Sequence, residues 1–246
     1  MVTWEGDNNV LLQQTAKFLL YEYGKLVKGE ERTMYKTLSF FTLDPAEEMK
    51  VEIEEESDIM DLSKLTRLLE IRALAMIQLS TMKFQTEFIN SGDSFEVWNK
   101  CLPFYLNNAA IYYGHLFMHN EAVKGHASMP PGKEKDFMGK LIVINAITII
   151  KTDFQVFLGV LDHDHIMIMN NVLVRLNDEC KFNILASFDG MGVSDNTFQS
   201  ALGSSDGNVY DRMISSMMED RTNFGRPDYW KMVAEVRTRG KVLPGL

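Results

Sequence analysis

In "TWEGDNNV", Glu5 stands between Trp4 and Gly6 at the head of a helical pattern. A carboxylate beside an indole, in a turn that Gly6 makes permissive, is a group whose pKa burial raises toward the working range of a general base. On these residues alone the commoner outcome, an exposed glutamate, stays open. A second candidate is "LDHDHIM", where Asp162, His163, Asp164 and His165 bring together the ligand types of a zinc or iron site. Consecutive residues in a short loop cannot all converge on one ion, and no second cluster supplies matching ligands. Asp162 or Asp164 is therefore expected to cap a helix, and no metal is expected. His115 and His119 share a helix face at i, i+4, but the glutamate of H-E-x-x-H is missing; with His126 they read as core or interface histidines. "LGSSDGNVY" lacks the lysine of a phosphate loop and reads as a turn.

Helices must position these groups. Val10, Leu11, Leu12, Phe18, Leu19, Tyr23, Leu26 and Val27 follow helical spacing from Asn8 to about Lys28, with Gly29 as the stop. The wide apolar face of this helix requires partner helices. Between Gly29 and Asp61 the pattern breaks at Pro45 and at an acidic run, Glu52, Glu54, Glu55, Glu56 and Asp58, which reads as a solvated linker. Periodicity resumes with a long helix that Ser63 is expected to cap and that ends near Gly92. A further helical stretch carries Pro103, where a kink is expected. "LIVINAITII" is rich in β-branched residues, yet its surroundings lack strand patterns, and the expected fold is an all-α bundle. Past Phe188 the texture is glycine-dotted with short helices, the first capped by Ser194 or Asp195.

The 246 residues are 46% hydrophobic and 24% charged, enough to bury one sizeable core or two smaller ones. A net charge of -9 excludes the concentrated basic face that nucleic-acid binding needs. Cys101 and Cys180 lie far apart in apolar segments and read as reduced, buried thiols of an intracellular protein. The longest apolar run is too short to cross a bilayer, and no signal peptide opens the chain, so neither secretion nor a membrane partner is expected. The sixteen methionines fit adaptable core packing.

Two ordered motifs carry a resemblance. "TWEGDNNVLLQQTAKFLLYEYGKLVKG" resembles the [YFW]-E-G-[DE]-N-T-V-x-x-x-Q-T-A-[RK]-[FY]-L segment of the peroxisomal acyl-CoA oxidases. "ASFDGMGVSDNTFQSALGSSDGNVYDRM" resembles that family's D-A-F-D-x-x-D-x-x-L-x-S-x-L-G-x-x-D-G-N-V-Y-E-x-L, with Ser204 and Ser205 where Arg-Tyr is usual. The resemblance implies the C-terminal helical part of such an enzyme: residues 1–30 as the last helix of the first C-terminal bundle, 31–61 as an acidic linker, and 62–246 as the additional helical domain.

By the same resemblance Glu5 is the base that removes the α-proton of a fatty acyl-CoA, while a β-hydride goes to FAD. The products are a trans-2-enoyl-CoA and, through O2, H2O2. Gly6, Asp7 and Asn9 are candidate FAD contacts by position, with Asn9 where threonine is usual. The implied partners are fatty acyl-CoA, O2 and a second acyl-CoA oxidase chain in a homodimer or heterodimer, and the implied location is the peroxisome. The chain lacks the β-domain and N-terminal helices of the family and ends in "KVLPGL" rather than an S-K-L type signal. It is therefore expected to be inactive alone, and its peroxisomal import to require a partner that carries it in. The competing expectation is a non-catalytic helical module that docks on a full-length oxidase.

Overall fold

The computed structural model describes residues 6–30, 35–43, 51–152, 160–198 and 200–239, which fall into two compact units, 1–181 and 182–246. Every regular element among the described residues is helical. Unit 1 is built on α1 (Asn8–Lys28), α2 (Glu56–Met60), α3 (Leu62–Ser91), α4 (Ser94–Cys101), α5 (Asn107–Ser128), α6 (Lys133–Thr152) and α7 (His163–Cys180).

Local signals set the helix ends. Asp7 accepts the Asn9 N–H at 2.8 Å and starts α1. Gly29, at φ 68°, closes it: its N–H reaches the Leu26 carbonyl, and the Glu30 N–H reaches that of Lys25. This is a left-handed stop that a side chain at Gly29 would strain. The cap of α3 is Asp61 rather than Ser63: the Asp61 carboxylate accepts both the N–H and the hydroxyl of Ser63, at 2.8 and 2.7 Å. Pro103 cannot donate to an α-helical ladder, and the chain passes Leu102–Leu106 as a π-turn that separates α4 from α5.

α3 is the central helix, packed on α1, α4, α5 and α6. Leu65, Leu68, Leu69, Leu74 and Ile77 are buried along it. The "LIVINAITII" run lies in α6 and buries Ile142, Val143, Ala146, Ile147 and Ile150, a helical and not an alternating pattern. In the segment read as a linker the acidic side chains of Glu52, Glu54 and Glu55 are exposed. Leu38, Phe40, Phe41, Val51, Ile53 and Ile59 join the core from the same stretch, so its described residues also pack. Asp58 is held there by Lys64 and by the N–H groups of Glu54 and Glu55, which depress its carboxyl to about 2.

Polar groups cross the α3–α5 seam. His119 is buried, with Nε2 3.0 Å from the Thr66 hydroxyl, whose own proton reaches the Leu62 carbonyl at 2.7 Å. Nε2 therefore carries the hydrogen, and Nδ1 has no hydrogen-bond partner among the described residues. Burial lowers the pKa of His119, which stays neutral in the fold. The unfolded chain then binds the extra proton first. This contribution is present above the ordinary histidine value of 6.5 and is lost as pH falls below it. Urea midpoints measured from pH 7.5 down to 5.5 are expected to fall, with a smaller slope in His119→Gln. Equal slopes in the two proteins would refute the assignment.

Unit 2 contains α8 (Ile184–Asp189), α9 (Asp195–Phe198), α10 (Val209–Glu219) and α11 (Trp230–Arg239). Among its residues with described side chains none is buried, and Met213, Ile214, Met217 and Met218 line α10 exposed.

Candidate functional site

Glu5 and Trp4 lie outside the described residues. Gly6, Asp7 and Asn9 are brought together at the first turn of α1, with Asp7 and Asn9 exposed. The Asp7 carboxylate is engaged as the helix cap. A side chain at Gly6 would meet Leu11 at an ordinary 3.5 Å, so no clash within the chain imposes glycine there. At the N-terminal end of α1 unpaired backbone N–H groups and the helix dipole favour negative charge.

α1 itself is fixed against α3 and α5. Ala16 and Leu19 are fully buried, and Ala16 meets Val97, Cys101, Leu106 and Ala110 in a small second core. Glu22 is also buried, its Oε1 paired with Lys25 at 3.3 Å.

The second motif has a definite structural role. Asp206 accepts from the Ser204 hydroxyl at 2.7 Å, from the Asn208 N–H at 3.0 Å, and from Arg212 Nε and Nη2 at 3.1 and 3.0 Å. These donors hold its carboxyl at about 2. Gly207, at φ 69°, makes the turn that lets Asn208 start α10. Ser205 gives both its N–H and its hydroxyl to Asp195, at 3.0 Å each. The motif is a hydrogen-bonded knot at the head of α10.

The "LDHDHIM" cluster is a cap. Asp162 accepts the N–H groups of Asp164 and His165, at 3.0 and 3.1 Å, and its own N–H reaches His165 Nδ1 at 3.0 Å. Among the described residues no three His, Cys, Asp or Glu side chains gather as a metal site. No helix among them is long and apolar enough to cross a membrane. Cys101 and Cys180 are free and buried, and burial pushes both thiols up.

Two features escaped the sequence reading. Arg72 lies buried in the middle of α3, its guanidinium 3.5 Å from the Tyr112 ring centroid and its Nη1 3.1 Å from His115 Nδ1. An arginine inside an apolar helical face was its only signal. The other is a groove beside α1, between Lys17, Tyr21 and Lys25 on one wall and Phe84 and Trp98 on the other. Its signal is the row of lysines along one face of α1, which the apolar face of the same helix obscures.

The family profile for acyl-CoA oxidase matches residues 61–237. An acyl-coenzyme A oxidase of Debaryomyces hansenii is 26% identical over 223 residues, covering 86% of this chain and 29% of the relative. Peroxisomal acyl-coenzyme A oxidase 3 of Homo sapiens is 21% identical over 236 residues, covering 93% of this chain and 34% of the relative. The chain thus spans about a third of the length of the curated relatives it matches. Acyl-CoA oxidase-2 of Caenorhabditis elegans, solved with FAD, ascaroside-CoA and ATP, superposes with a TM-score of 0.79 at 17% identity, covering 99% of this chain and 36% of that one. At that identity the superposition shows the all-α fold.

Proposed function

The chain belongs to the acyl-CoA oxidase family, and on that premise we propose that it serves as the C-terminal helical part of an FAD-dependent acyl-CoA oxidase. The reaction is α,β-dehydrogenation of a fatty acyl-CoA to a trans-2-enoyl-CoA, with O2 reduced to H2O2, in peroxisomal β-oxidation. The observation that carries the reading is the match of the family profile over most of the chain, joined to the "WEGDNNV" motif that sets Glu5 immediately before α1.

Glu5 is assigned the general base. Its carboxylate takes the proton from the acyl α-carbon, which the thioester has acidified. FAD, when bound, supplies the hydride acceptor. The start of α1 fits one edge of that group: Gly6 leaves room for a close approach, the exposed Asn9 presents an amide, and the helix N-terminus favours developing negative charge. Gly6 and Asn9 would hold the cofactor edge, and Asp7, already the cap, would hold the turn that carries Glu5.

On this reading residues 1–30 bring the motif helix, 31–61 connect, and 62–246 form the additional domain. The rest of the flavin and acyl-CoA surface comes from a further acyl-CoA oxidase chain or domain, in a homodimer or heterodimer.

Flavin absorbance and H2O2 release on palmitoyl-CoA test the proposal. Flavin-dependent turnover in an assembly containing this chain, lost in Glu5→Gln, is the expected result. A colourless, inert protein that binds a full-length oxidase without altering its turnover would overturn it in favour of a docking module.

A further inference from the structure

The polar face of α10 takes no part in the reaction proposed above. Tyr210, Met213, Ile214 and Met217 recur at i, i+3, i+4 and i+7 and make the apolar face of this helix. Arg212, Ser215, Ser216 and Glu219 recur at the same spacing on the opposite side, and all four are exposed. A partner seated on the apolar face therefore leaves these hydroxyls in reach of solvent.

Arg212 clamps the hydrogen-bonded knot at the head of the helix. Its Nε and Nη2 donate to Asp206 Oδ2 at 3.1 and 3.0 Å, and Nη2 stands 3.8 Å from Asp195 Oδ2. Ser216 lies one turn beyond Arg212, at i+4, where helix side chains are neighbours. Both residues line a cavity of about 340 Å³ together with Asp195 and Ser200. That space admits a phosphate on Ser216, and the i, i+4 spacing sets it within reach of the guanidinium.

The sequence from Ser216 reads S-M-M-E-D. Of all serines and threonines in the chain, Ser216 alone has a carboxylate at the third position after it, Glu219, and Asp220 follows. A basic substrate surface on a kinase pairs with carboxylates at such a fixed offset, a charge pattern that selects one hydroxyl among many. α10 is 11 residues long and buries none of them, so local opening that presents Ser216 as an extended segment costs little.

We infer that Ser216 is phosphorylated by an ATP-dependent protein kinase that reads acidic residues after its target, and that the phosphate takes Arg212 from Asp206 and opens the knot. The Ser216 Oγ–P bond forms as the bond from the γ-phosphorus to the β–γ bridging oxygen breaks; ADP leaves, and the hydroxyl proton goes to the base of the kinase. The new group brings about two negative charges and three acceptor oxygens beside the arginine. Asp206 holds Arg212 through one oxygen of a singly charged carboxylate, so the phosphate is the stronger acceptor. Glu219 and the C-terminal end of the helix dipole both repel the phosphate, which further loosens α10.

The full chain incubated with ATP and casein kinase II, an acid-directed serine kinase, tests this. It should take up phosphate at Ser216, located by phosphopeptide mapping and abolished in Ser216→Ala. Glu219→Gln should slow the uptake by at least about tenfold at an unchanged circular dichroism spectrum. In the phosphorylated chain the Asn208 amide, which donates to Asp206, should exchange with solvent about tenfold faster. Arg212→Gln should give the same acceleration without phosphate, and phosphorylation of that variant should add nothing, which separates loss of the clamp from general loosening. No uptake, uptake that persists in Ser216→Ala, or Asn208 exchange unchanged by the phosphate would overturn the proposal. None of these readouts uses flavin or acyl-CoA, so the oxidase reading and this one fail separately.

Discussion

Glu5→Gln is expected to lower turnover of a fatty acyl-CoA by about 10²–10⁴-fold in the flavin-loaded assembly that contains this chain. The glutamine keeps the size and most of the hydrogen-bonding capacity of the side chain and removes only the basicity. The loss should therefore fall on kcat, with KM altered by less than about threefold. A proton-specific readout separates this from a packing defect: exchange of the acyl α-proton in D2O should stop in the variant while acyl-CoA still binds. Asn9→Thr, which restores the residue usual in the family, is expected to leave kcat within about threefold, because it changes a contact and not the base. Undiminished α-proton exchange in Glu5→Gln would remove the carboxylate from the mechanism.

Leu68→Ala is expected to destabilise the fold by roughly 2–5 kcal/mol. Leu68 is completely buried in the second turn of α3, the helix on which α1, α4, α5 and α6 all pack. Truncation there opens a cavity that no single neighbour can close, because each is held by its own contacts to α3. Equilibrium urea unfolding followed by circular dichroism measures it. Met217→Ala on α10, where the side chain is 51% exposed, is the internal contrast and should stay within about 0.5 kcal/mol. Similar losses in both variants would contradict the placement of the core on α3.

Much of this architecture could be read from the residues. The Gly29 and Gly92 stops and the break at Pro103 are local devices with few alternatives, and each stands where the pattern placed it. "LIVINAITII" shows period overriding propensity: five isoleucines and a valine suit a strand, but burial at i, i+1, i+4 and i+5 is helical, and α6 follows the burial. Ser63 misled because the carboxylate two residues earlier caps better than a hydroxyl, and Ser63 became its donor. The packed residues between 35 and 61 were legible only by the charges beside them; Val51 and Ile53 alternate with Glu52 and Glu54, and an alternation that short is lost in an acidic run. At the functional end, the proposal for Glu5 rests on motif and not on environment. The groove and the Arg72 stack were invisible because three helices make the first and two make the second, and spacing along one strand of sequence carries no record of such crossings.

The bare second unit bears on abundance in the cell. Segments 182–198 and 200–235 bury none of their described side chains and display Phe182, Leu185, Met191, Leu202 and Tyr210, each more than two-thirds exposed. Quality-control machinery reads such a surface as unfinished. The steady-state level of this polypeptide is therefore expected to follow the supply of whatever covers that surface, as orphan subunits follow their stoichiometric partners, rather than its own rate of synthesis.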